Sequence, residues 1–251
     1  PVFMSFPGGL AELPTALAGS GFRTRTRTAV RVLRRTAHGF ALECGPVPEP
    51  VHLDADAVVI AAPPGKAGPL LRTVAPAAST ALGEIGSTSV AVVNLAFRDV
   101  TLPAGSGFLV PASERRAIKG ATFSSQKWPI SADGVTLLRA SLGRAGEPTV
   151  LQRDDTELVR LVRHELRSLL GVDAEPIDTA VTRWGGGLPQ YTPGHVERVA
   201  RIRAAVADVP GLAVCGAAYD GVGIPACIAS ARLAADRVLA SLTERGQWAR
   251  G

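Results

Sequence analysis

The sequence predicts a mixed α/β fold in which an antiparallel sheet interrupts a domain with buried parallel strands. Two short apolar runs, residues 56–64 and 212–216, are continuous rather than alternating. Such runs are typical of strands buried on both faces of a parallel sheet. The long β-rich run at 87–98 and the amphipathic segment at 154–170 lie between them. A sheet covered by a helix is therefore expected in the middle of the chain.

The first part of the chain predicts alternating helices and strands. A helix is expected over residues 8–18 after a glycine pair, and two strands over 26–35 and 37–43. The apolar strand within 56–64 ends at two prolines, and a helix over 66–73 completes a strand–turn–helix unit.

The middle part predicts strands at 87–98, 108–110, 121–124 and 135–143, followed by a helix at 154–170. Asp154 and Glu157 form a capping box at the start of this helix, and Gly171 is a stop signal at its end. Six apolar residues fall on one stripe of the helix and should face the sheet: Leu158, Leu161, Val162, Leu166, Leu169 and Leu170.

The last part returns to α/β. A strand at 178–184 precedes a glycine and proline loop, and a helix at 194–207 should bury Val196, Val199, Ile202 and Val206. The buried strand at 212–216 leads through a glycine loop into the final helix. Its expected inward stripe is Ile224, Ile228, Ala231, Ala235, Val238 and Leu242. We therefore divide the chain into 1–75, an inserted domain at 76–180, and a closing segment at 181–251.

Composition excludes several classes of protein. The 251 residues are 46% hydrophobic and 20% charged, which argues against disorder, and no apolar stretch is long enough for a membrane span. The net charge of +5 comes from scattered arginines without interleaved aromatic residues, so nucleic-acid binding is not expected. Three widely spaced cysteines fit a reducing cytoplasm, and the four histidines show no ligand spacing, so no metal site is expected.

The strand–glycine loop–helix at 212–240 carries the most chemistry. Gly216, Gly221 and Gly223 would let a ligand approach the backbone, and the helix start offers amides and partial positive charge. A phosphate or the electron-rich end of a reduced flavin suits this environment. An ordinary tight βα turn explains the same spacing.

Other catalytic patterns are missing. The chain contains no GxGxxG and no P-loop motif, and Ser106 lacks the frame of a hydrolase nucleophile. Cys215 and Cys227 are expected to pack as small apolar residues, and His164 and His195 to be solvated on helices. We assign no catalytic side chain.

Five segments occur in the order seen in one family: GGL at 8–10, DAVVIAAPP at 56–64, SVAVVNL at 89–95, PQYTPGH at 189–195 and GAAYDGVGIPACI at 216–228. The chain resembles the C-terminal half of the FAD-dependent protoporphyrinogen/coproporphyrinogen oxidases of haem biosynthesis. The resemblance implies part of a Rossmann-like FAD-binding domain with an inserted substrate-binding domain of antiparallel sheet and helices. The family's N-terminal half, which contains GxGxxG, does not match any part of this chain.

The resemblance also implies which residues contact FAD. By matching position, the backbone of Val30 should meet the adenosine side, and Trp184 should lie beside the flavin. Val222, Gly223 and Ile224 should contact the isoalloxazine at the start of the last helix.

The implied activity is oxidation of a porphyrinogen, either coproporphyrinogen III or protoporphyrinogen IX, by hydride transfer to flavin with O2 as final acceptor. Basic residues are expected to bind the propionates of the substrate. Lys119 is a weak candidate for this role, and the alternative is that it is a solvated loop lysine. A missing N-terminal FAD-binding segment would be a further partner, without which the chain should be inactive. The expected location is the cytoplasm; peripheral membrane contact and a homodimer are left open. The rival readings are another oxidase of the flavin amine-oxidase type, acting on an amine or a carotenoid precursor, and a non-catalytic fragment.

Overall fold

A computed structural model describes residues 4–128, 134–244 and 246. Its helices are α1 (Glu12–Ala18), α2 (Pro64–Leu71), α3 (Pro76–Gly83), α4 (Ser124–Lys127), α5 (Asp155–Leu170), α6 (His195–Ala207) and α7 (Ile224–Glu244). Its strands are β1 (Val30–Arg35), β2 (Phe40–Cys44), β3 (Val51–Ala55), β4 (Val58–Ile60), β5 (Ser87–Arg98), β6 (Gly107–Leu109), β7 (Ile118–Phe123), β8 (Val135–Leu142), β9 (Asp178–Pro189) and β10 (Leu212–Val214). The predicted mixed α/β class is confirmed.

These elements form two compact units. The sheet unit contains the described residues up to Thr24 together with Thr88–Gly185. The parallel-strand unit contains Arg25–Ser87 and the described residues from Gly186 onward. Residues 76–87, which the sequence places with the inserted domain, fold in the parallel-strand unit because α3 contributes Ala78, Ala81 and Leu82 to its core. Conversely, the described residues up to Thr24 and residues 181–185, which the sequence places outside the inserted domain, belong to the sheet unit. The assignment of cofactor and substrate to these units stays a prediction.

The parallel-strand unit contains two small sheets. β10 pairs with β4 in parallel, with Leu212 opposite Val58 and Val214 opposite Ile60. The continuous apolar runs of the sequence therefore form the parallel pair that they predicted. β1, β2 and β3 form an antiparallel meander, of which β3 was not predicted. α3 was also missed, because its short run of alanines and small polar residues shows no strong periodicity.

The sheet unit has five strands in the order β6-β7-β8-β5-β9, with α5 packed on one face. Leu158, Val162 and Leu166 of α5 are completely buried against alternate residues of the strands. The predicted caps of α5 are confirmed: the Asp154 carboxylate accepts a hydrogen bond from the Glu157 amide at 2.8 Å, and Gly171 has φ = 70°.

Three details differ from the sequence-based expectations. The glycines at 185–187 continue β9 as a strand instead of forming a loop. Val196 of α6 is 77% exposed, although its predicted partners Val199, Ile202 and Val206 are buried. On α7 the buried residues are Ser230, Ala234 and Leu242, whereas Ile224 and Ile228 of the predicted stripe are each 41% exposed. No helix in the described ranges is both long and apolar enough to cross a membrane.

Candidate functional site

The carboxyl ends of the two parallel strands meet at one edge of the parallel-strand unit. The amide of Cys215, just after β10, donates to the carbonyl oxygen of Ile60 at the end of β4, at 3.1 Å. A Cβ on Gly216 would lie 3.9 Å from the Ala61 carbonyl oxygen, so the loops that leave both strands run side by side. Ligands of doubly wound sheets bind at such an edge.

The loop after β10 presents an open backbone surface. Gly216 and Gly221 have φ of 119° and 142°, values that favour glycine. Val222 is 52% exposed and Ile224 is 41% exposed on either side of Gly223. A Cβ added to Gly223 would contact only Pro225 Cδ, at 3.8 Å. A flat apolar ring can therefore reach the main chain between two exposed aliphatic side chains.

Polar contacts hold this loop in place. The Gly216 amide donates to Ser230 Oγ at 3.2 Å, and the Cys227 amide donates to the Gly223 carbonyl at 3.0 Å. Asp220 forms an ion pair with Arg203 of α6. The hydrogen bond from Arg203 lowers the pKa of the Asp220 carboxyl, so its charge is stabilised in the fold.

The segment just before α6, which contains Tyr191, contacts the same loop. The Tyr191 hydroxyl donates a hydrogen bond to the carbonyl oxygen of Ala217, and its ring stacks on His195. His195 is only 7% exposed, so the expectation of a solvated histidine was wrong. Stacking on Tyr191 at the amino end of α6 removes it from solvent. In the sequence, Tyr191 is visible only as part of a motif; its contact with His195 depends on the turn at Pro193 and Gly194 that precedes α6.

Val30 lies on the wall of a cavity of about 600 Å³ in the same unit. Aliphatic residues of β4 and the following loop, from Val58 to Ala62, form much of the lining, and Lys66 adds a positive charge. Arg31 forms an ion pair with Glu43 at 3.1 Å, but its buried Nε has no hydrogen-bond partner among the described residues. A largely apolar cavity with a buried donor fits the planar, hydrogen-bonding adenosine end of a dinucleotide.

Trp184 lies in the sheet unit, in the middle of β9, and its side chain is 58% exposed. It lines a cavity of about 420 Å³ together with Arg183 and Ser89. Of the five residues predicted to contact FAD, Val30, Val222, Gly223 and Ile224 share one unit and Trp184 belongs to the other. Their contacts with FAD stay predictions.

The remaining reactive side chains do not form a nucleophilic site. Cys215 is 4% exposed, and burial raises the pKa of its thiol, which disfavours the reactive thiolate. In the described part of the chain no group of three or more His, Cys, Asp or Glu side chains could hold a metal ion. The sequence contains no GxGxxG turn that could hold the pyrophosphate of a dinucleotide.

Comparison with known proteins decides the family. Residues 2–239 match the family model described as flavin containing amine oxidoreductase. The chain belongs to this family. The flavin is part of the family's description, and the prediction of FAD as cofactor is confirmed.

Relatives within this family confirm the resemblance seen in the sequence. The chain is 38% identical over 247 residues to coproporphyrinogen III oxidase of Propionibacterium freudenreichii, which covers 94% of this chain and 45% of that protein. It is 38% identical over 197 residues to the Bacillus subtilis coproporphyrinogen III oxidase, covering 76% and 42%. With protoporphyrinogen oxidase of Bos taurus the identity is 34%, covering 94% and 51%. The chain therefore spans about half or less of the length of these curated relatives.

Solved structures confirm the fold. A structure from Exiguobacterium sp. 255-15, provisionally named a protoporphyrinogen oxidase, superposes with a TM-score of 0.83 at 32% identity over 94% of this chain and 52% of that one. Cyclohexylamine oxidase of Brevibacterium oxydans superposes with a TM-score of 0.71 at 16% identity over 95% of this chain and 53% of that one, a likeness of fold alone. The predicted Rossmann-like FAD fold with an added antiparallel sheet agrees with these neighbours.

Proposed function

We propose that this chain carries the flavin-facing and substrate-facing surfaces of an oxygen-dependent porphyrinogen oxidase of haem biosynthesis, acting on coproporphyrinogen III or protoporphyrinogen IX. One observation carries the proposal: the glycine loop at the carboxyl end of β10 opens between exposed Val222 and Ile224 onto the start of α7. The names of the relatives supply the substrate class, and the coproporphyrinogen III oxidases favour that substrate.

The contribution of this chain is position rather than acid–base chemistry. Val222, Gly223 and Ile224 offer a flat apolar surface and backbone groups for the isoalloxazine, and the amino end of α7 favours negative charge on the ring. Bound FAD would supply the two-electron oxidation chemistry, with O2 as the final acceptor. The protein has to orient the substrate and keep water out, and neither task needs a side-chain nucleophile.

The pyrophosphate of FAD has to be held by a segment that this sequence does not contain. The 251 residues include no GxGxxG turn. Within the described residues, β4 is paired on one edge only, with β10, and Val59 in the middle of β4 is 42% exposed. A two-stranded parallel sheet is rarely stable by itself, so this edge is suited to a further strand from the phosphate-binding segment. The location that we propose for the whole enzyme is the cytoplasm.

The test compares this chain with a protein of the full length of its relatives. The full-length protein should purify with FAD and convert coproporphyrinogen III or protoporphyrinogen IX into fluorescent porphyrin under O2, whereas the 251-residue chain should purify colourless. The same preparation is offered primary amines as a rival substrate class. Turnover of an amine without turnover of either porphyrinogen would overturn the proposed substrate, and FAD retained at one equivalent by the isolated chain would overturn the need for another segment.

A further inference from the structure

The sheet unit has a second face, opposite α5, which does not carry Val222, Gly223 or Ile224 of the proposed flavin site. A cleft of about 640 Å³ opens between β6, β7 and β8 on this unit. Two cationic side chains, Arg139 and Lys127, line the cleft together with the hydroxyl groups of Ser106, Thr122 and Ser141. Cationic side chains and hydroxyl groups are the groups that bind anions, so the lining of this cleft predicts an anion site.

The alternation of side chains along β8 places Arg139 on the face opposite α5. Its neighbours Leu138 and Ala140 are buried in the core beneath α5, with 1% and 0% exposure. Since successive side chains of a strand point to opposite faces, Arg139 points away from that core, and it is exposed. Arg139 lies opposite Thr122 of β7 and opposite Asn94 of β5, so polar groups flank it on both neighbouring strands.

An exposed aromatic ring lies on the same face. Val181 of β9 packs into the core under α5, and Arg183 donates to the carbonyl oxygens of Leu151 and Arg153, just before α5. Trp184 therefore points to the opposite face, as Arg139 does. Only β5 separates β8 from β9, so the axes of the two strands are about 10 Å apart. A large ring with acidic substituents spans this distance, so it can contact both the indole and the guanidinium.

The Arg139 guanidinium is available for a ligand. It has no ion pair or hydrogen bond with any of the residues that the structure describes, whereas other arginines, such as Arg116 and Arg203, form ion pairs. Arginine binds a carboxylate through two parallel hydrogen bonds, which lysine cannot match. An unpaired arginine between hydroxyl groups, inside a cleft, is therefore a ready carboxylate ligand.

The lysine that we had considered for this role lies elsewhere. Lys119 occupies the place where β7 slips by one residue against β8, and it does not line the cleft. Its neighbour Arg144 donates to the carbonyl oxygens of Val110 and Ile118. Burial, with a smaller effect from the charge of Arg144, lowers the pKa of Lys119. A lysine beside another cation and partly withdrawn from water is the poorer carboxylate ligand of the two.

We propose that Arg139 binds a carboxylate of the substrate on the open face of the five-stranded sheet, with Thr122 and Ser141 as hydroxyl donors. The class of ligand is a large apolar ring system with acidic side chains. The identity of that ligand as a porphyrinogen rests on the proposed function, whereas the carboxylate site is argued from the residues of the sheet alone.

Binding of coproporphyrin III tests the site without any need for turnover. The full-length protein is titrated with this stable tetracarboxylate, and binding is followed by the shift of its main absorption band. Arg139→Gln should weaken binding roughly 10- to 100-fold, as expected for loss of a charged hydrogen-bonding partner, and Arg139→Lys should recover part of the loss. The matched control is Arg160→Gln, an exposed arginine on α5, which covers the other face.

Unchanged affinity in Arg139→Gln would overturn the site, as would an equal loss in Arg160→Gln. Thermal unfolding of each variant identifies any loss of fold. The proposed site would also be overturned if Arg139→Gln lowered the affinity for anionic lipid vesicles while porphyrin binding stayed constant. Different results would contradict the proposed function and the proposed Arg139 site. Porphyrinogen turnover with an unchanged KM in Arg139→Gln would remove the site and leave the function, whereas porphyrin binding through Arg139 without any porphyrinogen turnover would remove the function and leave the site.

Discussion

The rings of Tyr191 and His195 stack, with centroids 3.9 Å apart and planes inclined by 15°. The Tyr191 hydroxyl also donates to the carbonyl oxygen of Ala217, so one side chain joins the start of α6 to the glycine loop. Both ring nitrogens of His195 are buried without a hydrogen-bond partner in the described ranges. A buried imidazole without a hydrogen bond is held in place by packing, and the stacking on Tyr191 supplies much of that packing.

Tyr191→Phe should loosen the glycine loop while leaving the stack intact. The lost hydrogen bond should lower the free energy of local opening by about 1 kcal/mol. Cys227 reports this opening, because its Sγ lies 3.8 Å from the Gly221 carbonyl oxygen and the other two cysteines are buried. We expect Cys227 to react with a thiol reagent roughly fivefold faster in the variant.

Tyr219→Phe is the matched control for the same experiment. The hydroxyl of Tyr219 is buried without a partner in the part of the chain that the structure describes. Its removal should leave the free energy of unfolding unchanged or higher, because no hydrogen bond is lost and an unsatisfied group disappears. Equal acceleration of Cys227 labelling in both variants would show that the Tyr191 hydroxyl does not order the loop.

Gly223→Asp should abolish retention of FAD by the full-length protein and leave its unfolding midpoint unchanged. A side chain fits here, since a Cβ would contact only Pro225 Cδ at 3.8 Å, but a carboxylate would repel the electron-rich end of the flavin. Flavin content is measured by absorbance after gel filtration. Gly223→Ala is the control for bulk, and we expect it to keep more flavin than the aspartate variant; full flavin in both would remove Gly223 from the site.

Leu166→Ala should destabilise the sheet unit by about 2–5 kcal/mol. The side chain is completely buried between α5 and the five-stranded sheet. Chemical denaturation measures the effect, and His164→Ala, an exposed position on the same helix, should change the free energy of unfolding by less than about 0.5 kcal/mol. A small effect in both variants would contradict the packing of α5.

Acid should release the ion pair between Asp220 and Arg203. The folded-state pKa of Asp220 is lowered, so its contribution is present above the unfolded pKa and is lost as the pH falls through the folded value, below about pH 4. Asp220→Asn should therefore destabilise the protein at pH 7 and have less effect at pH 3. Denaturant midpoints at both pH values measure this difference. Asp236→Asn, an exposed site on α7, is the control; a difference for Asp220→Asn that does not shrink at pH 3 would contradict the assigned charge.

Local sequence patterns were sufficient to predict α5, the two parallel strands and the glycine loop before α7. The bounds of α5 followed from its capping residue Asp154, its apolar period and Gly171, all of which act within one or two turns of helix. The apolar runs around Val58 and Leu212 predicted buried strands, because a strand covered on both faces has no polar alternation. The glycine loop before α7 was visible for the same reason, as closely spaced glycines need no distant partner.

The sequence by itself thus determined the fold class, the cofactor and the loop before α7. The tertiary structure alone decided which side of α7 is buried. On α7 the small side chains of Ser230 and Ala234 face Ala213 and Cys215 of the buried strand region, whereas the larger Ile224 and Ile228 remain exposed. The helix lies close to that strand because small residues permit it, and apolar periodicity does not record this preference. Arg139 shows the same limit, because the absence of a partner for its guanidinium depends on residues distant in sequence.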